Sequence, residues 1–92
     1  MAKRLIVSRK AYLNIDYIIE FNNTRNQSNT YSIKFVKQIF KEFNVLTKHP
    51  FLGKPTRNNS YVLIWRDYCI YYLIENDRII ILSVNHQKQN IR

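Results

Sequence analysis

Tyr61-Val62-Leu63-Ile64-Trp65-Arg66-Asp67-Tyr68-Cys69-Ile70-Tyr71-Tyr72-Leu73-Ile74-Glu75-Asn76-Asp77-Arg78-Ile79-Ile80-Ile81-Leu82-Ser83-Val84 is the stretch that decides the fold. It holds three apolar runs, at residues 61–65, 68–74 and 79–84. Their β-branched and aromatic side chains pack well on a pleated surface and lose rotamer freedom in a helix. The separators, Arg66-Asp67 and Glu75-Asn76-Asp77-Arg78, are polar and hairpin-sized. The segment therefore predicts an antiparallel meander. In the middle run, Ile70, Tyr72 and Ile74 alternate with Cys69, Tyr71 and Leu73. Both faces are apolar, which predicts a central strand covered on two sides.

Upstream, glycine and proline cluster in one place, His49-Pro50-Phe51-Leu52-Gly53-Lys54-Pro55, where a helical half gives way to the strand half. Residues 30–48 predict an amphipathic helix. Phe35, Val36, Ile39, Phe43 and Leu46 share one face, and Lys34, Lys37, Lys41 and Lys48 form a ridge on the opposite one. Residues 22–29 are polar and rich in Asn, hence an expected loop. Residues 8–22 predict another helix, with the Ser8 hydroxyl as its N-cap. Ala11, Tyr12, Ile15, Ile18 and Ile19 share one side of it. Leu13, Tyr17 and Phe21 form a second stripe at i, i+4, i+8. A helix with two apolar stripes packs on two things or leaves one for a partner. Residues 4–7 are short and β-branched, an expected first strand. The order is β-α-α-β-β-β: an α+β fold, with a helical hairpin packed on a small, mostly antiparallel sheet, in one domain over residues 1–92.

Composition narrows the function classes. The chain has 92 residues, 46% of them hydrophobic, with one Gly and two Pro, so disordered and collagen-like classes are excluded. One cysteine, Cys69, excludes an intramolecular disulfide and a cysteine-built zinc site. The run Leu5-Ile6-Val7 is too short for a signal-peptide core, and charges interrupt every longer apolar stretch. A soluble cytoplasmic protein with no membrane partner is expected. Fifteen Lys and Arg face six Asp and Glu, a net charge of +9, which favours an anionic partner.

No phosphate-binding loop, dinucleotide fingerprint or zinc-protease helix is present. The two histidines lie 37 positions apart without a cysteine cluster, so no metal and no cofactor is expected. Asp16 and Glu20 share a helix face and read as a solvated surface. What remains is basic and aromatic. Lys54, Arg57, Arg66, Lys88 and Arg92 are the candidate residues for binding a nucleic acid or another target. Metal-free RNA cleavage needs a base for the 2′-hydroxyl, a cation for the phosphorane and an acid for the leaving oxygen. His86 can serve as acid or base, and Arg66 or Lys88 as the cation. Residues 1–50 hold nine basic and three acidic groups and residues 51–92 six and three, so basicity is not concentrated on that candidate groove.

Motif order adds a further reading. Lys10-Ala11 and Asp16-Tyr17-Ile18 fall in the first helix. The segment Leu46-Thr47-Lys48-His49-Pro50-Phe51-Leu52-Gly53-Lys54 follows the second. Then come Arg66-Asp67-Tyr68-Cys69-Ile70-Tyr71-Tyr72 and Asp77-Arg78-Ile79-Ile80-Ile81-Leu82, before His86-Gln87-Lys88-Gln89. In order, spacing and length the chain resembles the RelE/ParE superfamily of bacterial type II toxins. The resemblance implies a growth-inhibiting, plasmid-stabilising toxin neutralised by a cognate, acidic antitoxin. It makes the Leu13, Tyr17 and Phe21 stripe the expected antitoxin-binding surface. It also implies one of two targets: the ribosome with its mRNA, cleaved by RelE-like members, or DNA gyrase, inhibited by ParE-like members without nuclease activity. In the nuclease branch an Arg commonly begins the central strand. Cys69 stands there, and a thiol cannot replace a guanidinium in holding phosphate charge. Arg66, two residues before the strand, is the candidate substitute. The Tyr68, Ile70, Tyr72 pattern looks ParE-like, Gln89 replaces a commonly basic residue, and no Tyr follows His86. These features favour the ParE-like branch. A RelE-like endoribonuclease and a non-toxic nucleic-acid-binding module are the alternatives.

Overall fold

The computed structural model describes residues 3–26 and 30–87. The chain runs β1 (Arg4–Val7), α1 (Arg9–Asn26), α2 (Thr30–Lys48), β2 (Lys54–Pro55), β3 (Ser60–Trp65), β4 (Tyr68–Ile74) and β5 (Arg78–His86). Single 3₁₀ turns at Pro50–Leu52 and Arg57–Asn59 flank β2. The sheet order is β1-β5-β4-β3-β2. β1 pairs parallel to β5, and every other pairing is antiparallel. The expected α+β architecture holds, and β4 is the central strand.

Local chemistry explains the boundaries. Ser8 caps α1: its Oγ accepts the Ala11 N–H at 3.1 Å and donates to the Leu82 carbonyl at 3.0 Å. Leu82 is the extra residue of a β-bulge, since Tyr71 pairs with Ser83 and Tyr72 with Ile81. β1 has ended at Val7, opposite Ile81. Beyond it, α1 takes over the edge of β5: Asn14 Oδ1 accepts the Val84 N–H at 3.0 Å. The two-residue turn between β3 and β4 places Arg66 at a φ of 55°, the left-handed backbone that tight hairpins favour.

The core lies between the helices and one sheet face. Ala11, Ile15 and Ile18 of α1 and Phe35, Ile39, Phe43 and Leu46 of α2 pack onto Ile70, Tyr72, Ile79 and Ile81. Inside this core the Tyr72 hydroxyl accepts the Gly53 N–H at 2.9 Å and donates to the Pro50 carbonyl at 2.7 Å. It thereby ties the 3₁₀ turn and β2 to the central strand.

Several expectations are corrected. α1 continues to Asn26 rather than ending near residue 22; Asn is a poor helix former but not a breaker, and no Gly or Pro intervenes. Residues 27–29 of the expected loop lie outside the described residues. β5 extends to His86, two residues past the end of the apolar run at Val84, so His86 belongs to the sheet. Tyr12, expected in the core, is half exposed and rests against Phe40 with ring centroids 6.3 Å apart. The other face of the sheet carries Ile6, Val62, Ile64, Cys69, Tyr71, Leu73 and Ile80, by strand alternation. No described helix or strand packs on it, so β4 is covered on one side and not two.

Candidate functional site

Arg66 and His86 meet at one end of the sheet. Antiparallel pairing sets Tyr68 opposite both Trp65 and His86, so the β3–β4 turn and the end of β5 are neighbours. Gln87 seals the junction: its N–H donates to the Asp67 carbonyl at 2.8 Å and its Nε2 to the Arg66 carbonyl at 3.0 Å.

An aromatic cluster supports this end. Tyr68 lies with its ring centroid 5.3 Å from Phe35, 6.3 Å from Trp65 and 5.3 Å from the imidazole of His86, which meets it edge-on. The Arg66 guanidinium stacks 4.7 Å above the Trp65 ring and donates to Gln38 Oε1 on α2. His86 and Arg66 are thus linked ring by ring through Tyr68 and Trp65, on the helix-bearing side of the sheet. There Arg66 joins the polar face of α2, where Lys34, Lys37 and Lys41 are exposed. Trp65, Tyr68 and Gln38 did not stand out as site residues in the sequence. Only the adjacency of Trp65 to Arg66 pointed to the stacking.

The other expected cations are not gathered here. Arg57 sits in the turn before Ser60, and the length of β3 separates it from Arg66, roughly 17 Å at strand rise. Lys54 lies on the short edge strand β2, opposite Val62. Lys88 and Arg92 fall outside the described residues. Among the described residues no three His, Cys, Asp or Glu side chains come together in a group able to hold a metal ion. No described helix is long and apolar enough to cross a membrane.

Cys69 occupies different surroundings. It is 7% exposed, on the helix-free face, between Ile64 and Asn85 on the neighbouring strands and two residues from Tyr71. Arg66 turns its guanidinium to the opposite side of the sheet. The α1 stripe is the reverse of buried: Leu13, Tyr17 and Phe21 are 56%, 64% and 56% exposed.

A helical hairpin on a five-stranded sheet with this order defines the RelE/ParE class of small toxins, and known proteins agree. Residues 5–91 match the profile of the ParE toxin of the type II toxin–antitoxin system parDE. The chain belongs to that family. Solved structures share its fold. The chromosomal ParDE system of P. aeruginosa superposes with a TM-score of 0.76 at 18% identity, covering 92% of this chain and 96% of that one. The RelBE2 toxin–antitoxin complex of Mycobacterium tuberculosis gives 0.64 at 17%, covering 94% and 99%. A mutant of the E. coli toxin RelE in the free state gives 0.63 at 16%, covering 98% and 88%. No curated protein matches the chain in sequence.

Proposed function

We propose that the chain is a growth-inhibiting toxin of the ParE-like kind, which acts on DNA gyrase, cuts no nucleic acid and is neutralised by an acidic antitoxin. The observation that carries this reading is the setting of Cys69. The nuclease branch commonly holds a guanidinium at this strand position. Here the cross-strand neighbours are Ile64 and Asn85, neither a cation nor an acid–base group. Arg66 cannot stand in, because Trp65 and Gln38 hold it on the other side of the sheet. Neither strand neighbour of Cys69 brings it the positive charge that a phosphorane at that position would need. The basic groups then act as a binding surface: Arg66 with the α2 lysines on one side, Lys54 and Arg57 on another.

The antitoxin reading rests on the exposed Leu13, Tyr17 and Phe21. Three large apolar side chains along one helix are a groove-binding or helix-binding surface, and a net charge of +9 suits an acidic partner. The solved relatives include toxin–antitoxin complexes.

The RelE-like reading keeps one specific observation in its favour: Arg66 and His86 do converge. Supercoiling by purified gyrase in the presence of antitoxin-free protein separates the two. Inhibition is expected. Normal supercoiling, from folded protein that arrests growth, would overturn the gyrase assignment.

A further inference from the structure

The turn after α2 carries a feature outside the residues assigned so far. Phe51 and Leu52 are 72% and 53% exposed, side by side in the 3₁₀ turn at Pro50–Leu52. Single exposed apolar side chains are ordinary on a protein surface. These two are held out by a braced turn. The Leu52 N–H donates to the His49 carbonyl at 3.1 Å, and the Tyr72 hydroxyl joins the Pro50 carbonyl to the Gly53 N–H. The Pro50 ring fixes φ at the start of the turn. The Phe51 ring meets Tyr61 edge-on with centroids 5.9 Å apart, and Tyr61 stacks on Tyr72 at 5.6 Å. Phe51 is therefore the outer end of a column of rings rooted in the core. A side chain fixed in advance loses little freedom on binding.

The charge around the turn gives the class of partner. Residues 43–66 hold Lys48, Lys54, Arg57 and Arg66 and no Asp or Glu. Along α2, Lys34, Lys37, Lys41 and Lys48 are all exposed, within about 60° of one another round the helix. None of the four forms an ion pair among the described residues. Glu42, the one carboxylate of α2, is half-buried and off the row. From Lys34 to Lys48 the row is about 21 Å long at helix rise, the length of about six base pairs. Its last lysine stands three residues before Phe51.

An acidic protein would need a pocket to receive the two side chains, because the turn offers a knob and not a groove. Duplex DNA supplies both halves of the match. Its backbone presents a row of phosphates to the lysines, and a partly unstacked base step presents apolar faces to a Phe or Leu wedge. We propose that Phe51 and Leu52 are a wedge that enters a base step of duplex DNA, with the lysine row of α2 gripping the phosphates beside it. This deepens the gyrase reading, on which it rests for the source of the DNA, the segment that gyrase holds. Pyrimidine–purine steps unstack most easily, so the wedge prefers them.

The test uses the full, antitoxin-free chain, without gyrase, and a short duplex carrying 2-aminopurine in a central TpA step. The fluorescence of that base rises when it unstacks. Saturable binding that weakens as salt increases, with a rise in fluorescence, is expected. Removing an aromatic side chain from a base costs about tenfold or more in affinity. Phe51→Ala should therefore bind about tenfold more weakly and give no rise at saturation, and Leu52→Ala should lose affinity in the same direction. Lys41→Gln should keep the rise at saturation and lower the salt slope by about one. Phe51 and Leu52 are exposed, so both alanine variants should melt with the wild type. No binding, binding indifferent to salt, or an equal rise with Phe51→Ala would overturn the wedge. Weaker binding of Phe51→Ala to DNA-free gyrase, with duplex binding unchanged, would give the turn a protein partner and overturn it too. Inhibition of supercoiling without duplex binding would overturn the wedge and leave the gyrase reading standing. Duplex binding with the fluorescence rise, beside normal supercoiling, would support the wedge and remove gyrase as the source of the DNA.

Discussion

Tyr72 and Gly53 are 19 residues apart in sequence and in contact in the fold: the fully buried phenol accepts the Gly53 N–H at 2.9 Å. Gly53 needs no unusual backbone, with φ at −80°. It needs to lack a side chain. A Cβ there would stand 2.6 Å from the Tyr72 oxygen and 2.7 Å from the Val62 carbonyl oxygen. The Val62 oxygen is backbone in a paired strand and cannot move aside cheaply. Gly53→Ala is expected to destabilise the protein by about 1–3 kcal/mol through overpacking, measured by urea unfolding. Stability equal to that of the wild type would contradict the close approach.

The same phenol makes an alkaline prediction. Burial raises the Tyr72 pKa above its ordinary value of 10.0; the Gly53 N–H works in the opposite direction, and the Tyr61 phenol adds to the rise. Below the ordinary value both folded and unfolded chains keep the proton, and the full stability is present. As pH climbs from there through the folded-state value, the unfolded chain gives up its proton first, and stability is lost. Unfolding free energies measured between about pH 9 and pH 11 should fall less steeply in Tyr72→Phe than in the wild type. Equal slopes would remove Tyr72 as the cause.

Asn14 shows how a helix closes a sheet edge. Its side chain accepts the Val84 N–H at 3.0 Å at a point where β1 no longer supplies a partner. Asn14→Ala should cost about 1–3 kcal/mol, the penalty of an unpaired backbone group. Asn44→Ala serves as the control, because Asn44 donates only to the exposed Phe40 carbonyl one turn back. It should stay within about 0.5 kcal/mol of the wild type. Matching losses in the two variants would show that the edge contact has no special weight.

Much of this fold is legible in local sequence, and the limits have physical causes. β1, α2 and β4 stand where periodicity and β-branching put them, because each has a buried face that one register alone satisfies. The parallel partnership of β1 and β5 carries no local signal, since parallel strands are joined by long crossovers. The meeting of Arg66 with His86 depends on which end of the meander each occupies, and that follows from pairing register rather than composition. Two-residue β2 is invisible to any period, and its anchor, Tyr72, reads in the sequence as one more core aromatic. The exposed α1 stripe was legible for the opposite reason: its apolar side chains have the right spacing for a face but no second layer to meet.

That stripe gives a prediction about neutralisation. Tyr17 is the most exposed of its three residues, so Tyr17→Glu should leave folding stability within about 0.5 kcal/mol. At an interface a buried aromatic anchor is worth about 2 kcal/mol or more. Coexpressed antitoxin should therefore fail to rescue growth from the Tyr17→Glu toxin, and should bind it at least tenfold more weakly by calorimetry. Unchanged affinity would place the antitoxin elsewhere on the molecule.

The most direct test of the central claim is mRNA cleavage on programmed ribosomes, mapped by primer extension with folded, antitoxin-free protein. With Cys69 in place of a guanidinium and Arg66 held by Trp65 and Gln38, no new 5′ ends are expected, for the wild type and for His86→Ala alike. Discrete cuts by the wild type that vanish in His86→Ala, with the variant still folded, would contradict it and make the Arg66–His86 end of the sheet a nuclease site.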